Sequence, residues 1–286
     1  MYCSYSHILR LNSILALFFM LVACSMPVAQ SRYAVIEQLQ ASGFIHFQTP
    51  NPLKIYVRKR LAQDEPRNSG PIRLTAYIEG DGAPWWSRKV PPANPSPTKS
   101  IAAQLAIRDH GPFVAYIGRP CQFLEDFEID NCDVKWWTSA RYSAQALNWL
   151  DNAVEYIVHD YPNVGVELIG HSGGGVMAAL LAANRDDVAC LITLAAPLDL
   201  DAWTRSSGFD DFKDALNPAL LSAARLNLQE KHYWGRDDIL VPPTSVGAYT
   251  TRVLPGDISI IDNVGHSAGW NKHWAEIKSE SCLSVH

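Results

Sequence analysis

Ser172 is the residue best placed to do covalent chemistry, because it sits at the centre of Gly170-His171-Ser172-Gly173-Gly174, a G-x-S-x-G pattern. A serine hydroxyl attacks a carbonyl well only when a base takes its proton, so the chemistry calls for an imidazole and for a carboxylate to orient it. His266, in Asn263-Val264-Gly265-His266, is the candidate base, and Asp238, in Gly235-Arg236-Asp237-Asp238, the candidate acid. Asp237 competes for the second role, as do Asp199 and Asp201. The oxyanion formed on attack also needs amide donors. Gly173, at the start of a predicted helix, offers one, and Asp81 or Gly82, in Glu79-Gly80-Asp81-Gly82, offers the other.

The same glycines admit a rival reading. Gly173-Gly174-Gly175-Val176-Met177-Ala178 fits the permissive dinucleotide fingerprint G-x-G-x-x-A, with Asp199 or Asp201 at a suitable distance downstream. A glycine-rich turn with no chemistry is a third possibility. Context separates them, because the pattern comes after four predicted strands, whereas a dinucleotide fingerprint opens its domain.

Elements that could carry these residues follow from periodicity and punctuation. Aliphatic and β-branched runs predict strands at 44–48, 53–60, 72–78, 113–117, 164–169, 188–195, 228–234 and 258–261. The first two are joined by Pro50-Asn51-Pro52 and form an antiparallel start. Helical spacing predicts helices over 99–109 and 139–159 and one beginning just after Ser172. The stretch 199–227 is short and predicts a small cap of one or two helices, with Trp203 or Phe209 near the pocket. Ser172, Asp238 and His266 each fall just past a predicted strand. Arg119, after the 113–117 strand, suits either a substrate carboxylate or phosphate or a structural ion pair. Trp136 and Trp137 are expected to pack, His171 to pack or line the pocket, and His273 to ride on a closing helix.

The ends and the composition narrow the setting. Arg10 precedes an apolar stretch from Ile14 to Val22, too short for a membrane span and suited to a secretory signal. Leu21-Val22-Ala23-Cys24 resembles the bacterial lipobox, which implies cleavage before Cys24 and lipidation of its thiol; Ser25 then implies an outer-membrane destination. The expected division is a signal peptide over 1–23, a tether over 24–40 running into a first helix, and one catalytic domain over 41–286. Removing 23 of 286 residues leaves 263, and removing Arg10 takes the balance to 23 − 29 = −6. No basic block argues for nucleic acid, and 48% hydrophobic residues supply a large core. Export permits disulfides, for which Cys121 and Cys132, bracketing a short loop, are the choice. Cys190, in an apolar run, is expected as a buried free thiol. No C-x-x-C spacing points to zinc, and the proposed chemistry requires no metal or cofactor.

The chain order Ser172, Asp238, His266, each after a strand, together with two glycine-bearing turns, resembles the α/β-hydrolase superfamily over nearly the whole mature chain. The glycine loop departs from the familiar His-Gly version, with Glu-Gly-Asp-Gly in its place. The resemblance implies a mostly parallel central sheet with helices on both faces and a small cap. It also implies a serine hydrolase that cleaves an ester-like bond in a small-molecule substrate through an acyl-enzyme on Ser172. An acyltransferase or peptidase with the same triad, or a non-catalytic binding lipoprotein on the same scaffold, remains open at this point. The sequence suggests short or medium acyl esters and leaves the oligomeric state undetermined.

Overall fold

The computed structural model describes residues 33–60, 72–82, 90–208, 212, 214–221, 228–251 and 257–280. The expected signal peptide over 1–23, Cys24 and most of the expected 24–40 tether lie outside these residues, as does Phe209. A first helix, α1, occupies 33–41.

Eight strands form one sheet: β1 (Ile45–Phe47), β2 (Ile55–Lys59), β3 (Arg73–Ile78), β4 (Phe113–Ile117), β5 (Gly165–His171), β6 (Val188–Leu194), β7 (Gln229–Gly235) and β8 (Ile258–Ile261). Their spatial order is β1-β2-β4-β3-β5-β6-β7-β8. β1 pairs antiparallel with β2, and β2 antiparallel with β4. Every neighbouring pair from β4 across to β8 is parallel. This is the α/β-hydrolase architecture that the resemblance implies.

The central strands are buried on both sides, which is why they read as continuous apolar runs. Alternation still sorts their side chains between two cores. Phe113, Ala115 and Ile117 of β4 face the core covered by α4 (Ala144–Val158) and α5 (Gly173–Asn184). Val114 and Tyr116 face the opposite core, covered by α1, α2 (Ile101–Arg108) and α7 (Trp270–Ser279). α3 is a single turn at Asp126–Ile129, and α6 (Leu200–Ser207) carries the chain away after β6. The side chain of Asp199 caps α6 by accepting from the Ala202 amide.

Three sequence expectations need correction. β5 continues through Gly170 and His171, so the strand ends directly at Ser172. The helix predicted from Ser139 starts only at Ala144, because the Ser143 hydroxyl accepts from the Ala146 amide and sets the N-cap there. Arg141 and Tyr142 are thereby left in the preceding loop. Finally, Cys190 is disulfide-bonded and not free, since an apolar run dictates burial but says nothing about whether another thiol reaches it. Cys121 and Cys132 do form a disulfide, with Cα atoms 6.1 Å apart.

Candidate active site

Parallel pairing places the ends of β3 through β8 along one carboxyl edge of the sheet, where ligands bind in α/β proteins. Ser172 joins β5 to α5 with φ 55° and ψ −128°. That backbone conformation is unfavourable for a residue with a Cβ, by about 1–3 kcal/mol, and the surroundings hold it in place. The Ser172 amide donates to the Leu194 carbonyl on β6 at 2.8 Å, and its own carbonyl accepts from the Gly175 amide at 2.9 Å.

Two of the glycines are required by close approach. A Cβ on Gly174 would overlap the backbone carbonyls of Ile78 and Glu79 at the end of β3, and one on Gly173 would overlap the Asp81 carboxylate. The space that a pyrophosphate would need in the dinucleotide reading is therefore filled by this chain's own backbone and by Asp81. Asp199, the acid of that reading, is occupied by capping α6 and by the Ala248 amide at 2.8 Å.

The three candidate triad residues meet. His266 Nε2 lies 3.0 Å from Ser172 Oγ, and His266 Nδ1 lies 2.9 Å from Asp238 Oδ2. A carboxylate opposite Nδ1 holds the proton on that nitrogen, so Nε2 is left as an acceptor facing the hydroxyl. Asp238 is buried, and its second oxygen accepts from the amides of Leu240 and Val241, both at 2.9 Å. The turn after β7 thus satisfies a buried carboxylate through backbone donors. Asp237, its neighbour, is exposed, and Asp201 is exposed on α6.

The loop after β3 crosses directly over Ser172. A Cβ on Gly80 would stand 3.4 Å from the Ser172 Cβ. The Gly80 amide is committed to the Glu79 carboxylate at 2.8 Å, which leaves Asp81 and Gly82 as amide donors of this loop. Glu79 is buried and also accepts from the hydroxyls of Tyr116, at 2.7 Å, and Ser100. Burial pushes its carboxyl above the ordinary range against the opposing effect of those hydrogen bonds. Gly173 is the first residue of α5, so its amide is one of the helix-terminal donors with no intrahelical acceptor.

The Asp81 carboxylate lies beside Gly173 and is held in a cluster of buried donors. Arg119 Nη1 approaches it at 2.9 Å, Arg141 Nε at 3.0 Å, and the Tyr142 hydroxyl donates to it. Arg119 therefore takes the structural role of the two that the sequence allows, and its other terminal nitrogen donates to the Arg141 carbonyl. Burial, and next Asp81, push the Tyr142 phenol well above its ordinary value, so that it stays a donor. Trp203 stacks on Phe212 at 6.2 Å and donates from its indole to the Leu240 carbonyl, tying the cap to the loop that holds Asp238. Trp137 is buried and Trp136 packs edge-on against Trp149, as expected of core residues.

Sequence reasoning missed two features. Arg141 and Tyr142 fall inside the stretch read as helix; the signal available was Ser143 as an N-cap. His171 was expected to pack or line the pocket, and beyond either role its Nε2–H donates to the backbone carbonyl of His266 at 2.7 Å. The Trp270 indole donates to the same oxygen at 3.0 Å, so the loop carrying His266 is fixed from two sides. Burial, and next the nearby His266, lower the His171 pKa to about 3, which keeps it neutral.

The family described as PGAP1-like alpha/beta domain matches residues 130–281, more than half of the chain, and the protein belongs to that family. No curated protein matches the chain. Among solved structures, an acylaminoacyl peptidase in complex with Z-Gly-Gly-Phe-chloromethyl ketone has a TM-score of 0.56 at 13% identity, over 85% of this chain and 42% of that one. A membrane phospholipase A, called a novel bacterial virulence factor, has a TM-score of 0.52 at 13% identity, over 95% of this chain and 96% of that one. A 2,6-dihydroxy-pseudo-oxynicotine hydrolase gives 0.51 at 16% identity, over 85% and 70%. At these identities the likeness is one of fold.

Proposed function

We propose that the protein is a serine hydrolase that cleaves an ester-like bond through an acyl-enzyme on Ser172. The observation that carries this reading is the continuous line from Ser172 Oγ to His266 Nε2, at 3.0 Å, and from His266 Nδ1 to Asp238, at 2.9 Å. His266 takes the hydroxyl proton as Ser172 attacks the carbonyl, while Asp238 fixes the tautomer and stabilises the imidazolium. The amides of Gly173 and of Asp81 or Gly82 receive the oxyanion, each donor accounting for about 3 kcal/mol of transition-state stabilisation. Protonated His266 then gives its proton to the leaving alcohol. Water, deprotonated by the same imidazole, attacks the acyl-enzyme, and Ser172 is regenerated. The reading extends to an exported chain lipid-anchored at Cys24, supported by Leu21-Val22-Ala23-Cys24 and consistent with the disulfides.

The test is labelling with a fluorophosphonate probe of the intact protein and of Ser172→Ala. The expected result is covalent labelling that the substitution abolishes. No label on the intact protein, or equal label on both, would overturn the reading of Ser172 as the nucleophile of a serine hydrolase.

A further inference from the structure

The cluster around Asp81 pairs its two guanidinium groups unequally. Two guanidinium groups, Arg119 and Arg141, face one carboxylate, and the three side chains expose only 5%, 5% and 11% of their surface. Glu79 is a second buried carboxyl facing Arg119, so the guanidinium short of partners is that of Arg141, in a site that water scarcely reaches, where a charged group normally demands them. Arg119 is engaged through both terminal nitrogens, with Asp81 and with the Arg141 carbonyl. Arg141 is not. Its Nε lies 3.0 Å from Asp81 but is not aligned for a hydrogen bond, and its Nη1 is buried with no partner. Its Nη2 is not among the buried unpartnered atoms, so the residual exposure of the side chain falls there.

Aromatic packing fixes this guanidinium without using its donors. The Arg141 guanidinium carbon lies 4.3 Å from the centre of the Phe212 ring and 5.2 Å from that of Tyr142, which satisfies its faces and uses none of its N–H donors. Most buried donors in a native protein are paired, and one on a charged side chain that is not calls for an explanation. The position is equally telling. Asp81 is on the loop that crosses Ser172 and touches the backbone of Gly173, Arg119 follows β4, Arg141 precedes α4, and Phe212 follows α6. All of these segments converge on the rim where Ser172 stands.

We propose that Arg141, braced by Asp81, Phe212 and Tyr142, is the seat for a single anionic group of the substrate, a carboxylate or a phosphodiester, carried by the molecule whose ester bond is cleaved at Ser172. The inference rests on the hydrolase reading for its reaction but not for its binding site. One guanidinium short of partners matches a single anionic group. A dianion would bring excess negative charge against Asp81, and a neutral ester would leave the guanidinium as it is.

The test compares matched substrates. Mono-p-nitrophenyl glutarate and p-nitrophenyl valerate differ only in whether the acyl chain ends in a carboxylate or a methyl group. Butyryl-glycerol methyl phosphate and butyryl-glycerol make the same comparison for a phosphodiester on the alcohol side. For at least one pair, wild-type kcat/KM is expected to favour the anionic member, and Arg141→Gln to reduce that ratio about 10- to 100-fold, chiefly through KM. Arg141→Lys, which keeps the charge but loses the planar fork, is expected to fall between them. Ratios that are the same in wild type and Arg141→Gln for both pairs overturn the proposal and leave Arg141 a packing residue. Labelling by a neutral fluorophosphonate verifies that the variants keep a folded site. If they do not label, or if wild type does not, the seat is tested on Ser172→Ala by calorimetric titration with methyl glutarate and with dimethyl phosphate. Saturable heat with either supports the seat, and none with both overturns it. Absence of labelling in wild type sinks the hydrolase reading separately.

Discussion

Acidification should destabilise this protein through His171, and the size of the effect follows from the structure. Buried beside His266, with ring centroids 5.1 Å apart, His171 has its pKa lowered to about 3 from the ordinary value of 6.5. Below pH 6.5 the unfolded chain therefore takes up a proton that the folded chain refuses. The stabilisation is present above about pH 6.5 and is lost progressively as the pH falls toward 3. Between pH 7 and pH 5 the loss amounts to about 2 kcal/mol, and it is nearly the same for any folded value below about 4, because the native side chain stays neutral throughout that interval. Urea unfolding followed by tryptophan fluorescence at pH 7, 6 and 5 and constant ionic strength measures it. His171→Gln, which keeps a donor for the His266 carbonyl but does not titrate, should lose about 2 kcal/mol less than wild type over the same interval. His46, whose pKa is also lowered by burial, titrates in both proteins and cancels. If the two proteins lose stability equally, the burial argument for His171 is wrong.

Two further outcomes are expected. Asp238→Asn should lower ester turnover about 10³- to 10⁴-fold, because an amide no longer fixes the imidazole tautomer, whereas Asp237→Asn, at an exposed position, should stay within about two-fold; steady-state rates decide, and the reverse order would move the acid to Asp237. Replacing Cys121 and Cys132 together by serine opens a loop of sequence separation 11 and should lower unfolding stability by about 3 kcal/mol in urea, where an unchanged midpoint would contradict the loop-entropy argument.

The periodicity of the chain already contained most of the scaffold. β4 and β8 have the boundaries that their apolar runs predict, and most other strands differ by one or two residues, because a strand buried on both faces announces itself as a continuous run. The turn at Ser172 was equally legible, since only glycines allow α5 to lie against the end of β3. So were the three residues proposed to act together, each recognisable from a strand ending in a turn. Errors came where a single hydrogen bond sets a boundary, as with Ser143 and the start of α4.

What the sequence determined is local: which segments extend, which coil, and where glycine permits a close approach. What only the tertiary structure decided is which loops meet. Asp81 finds Arg119 at a separation of 38 residues and Tyr142 at 61, and His171 finds the carbonyl of His266 at 95. Those encounters depend on the strand order β4-β3-β5-β6-β7, which brings the ends of distant strands to one edge. A buried charge is stable only when its partners arrive from elsewhere in the chain, so the burial of Asp81 and the incomplete pairing of Arg141 could be read only once the sheet had assembled.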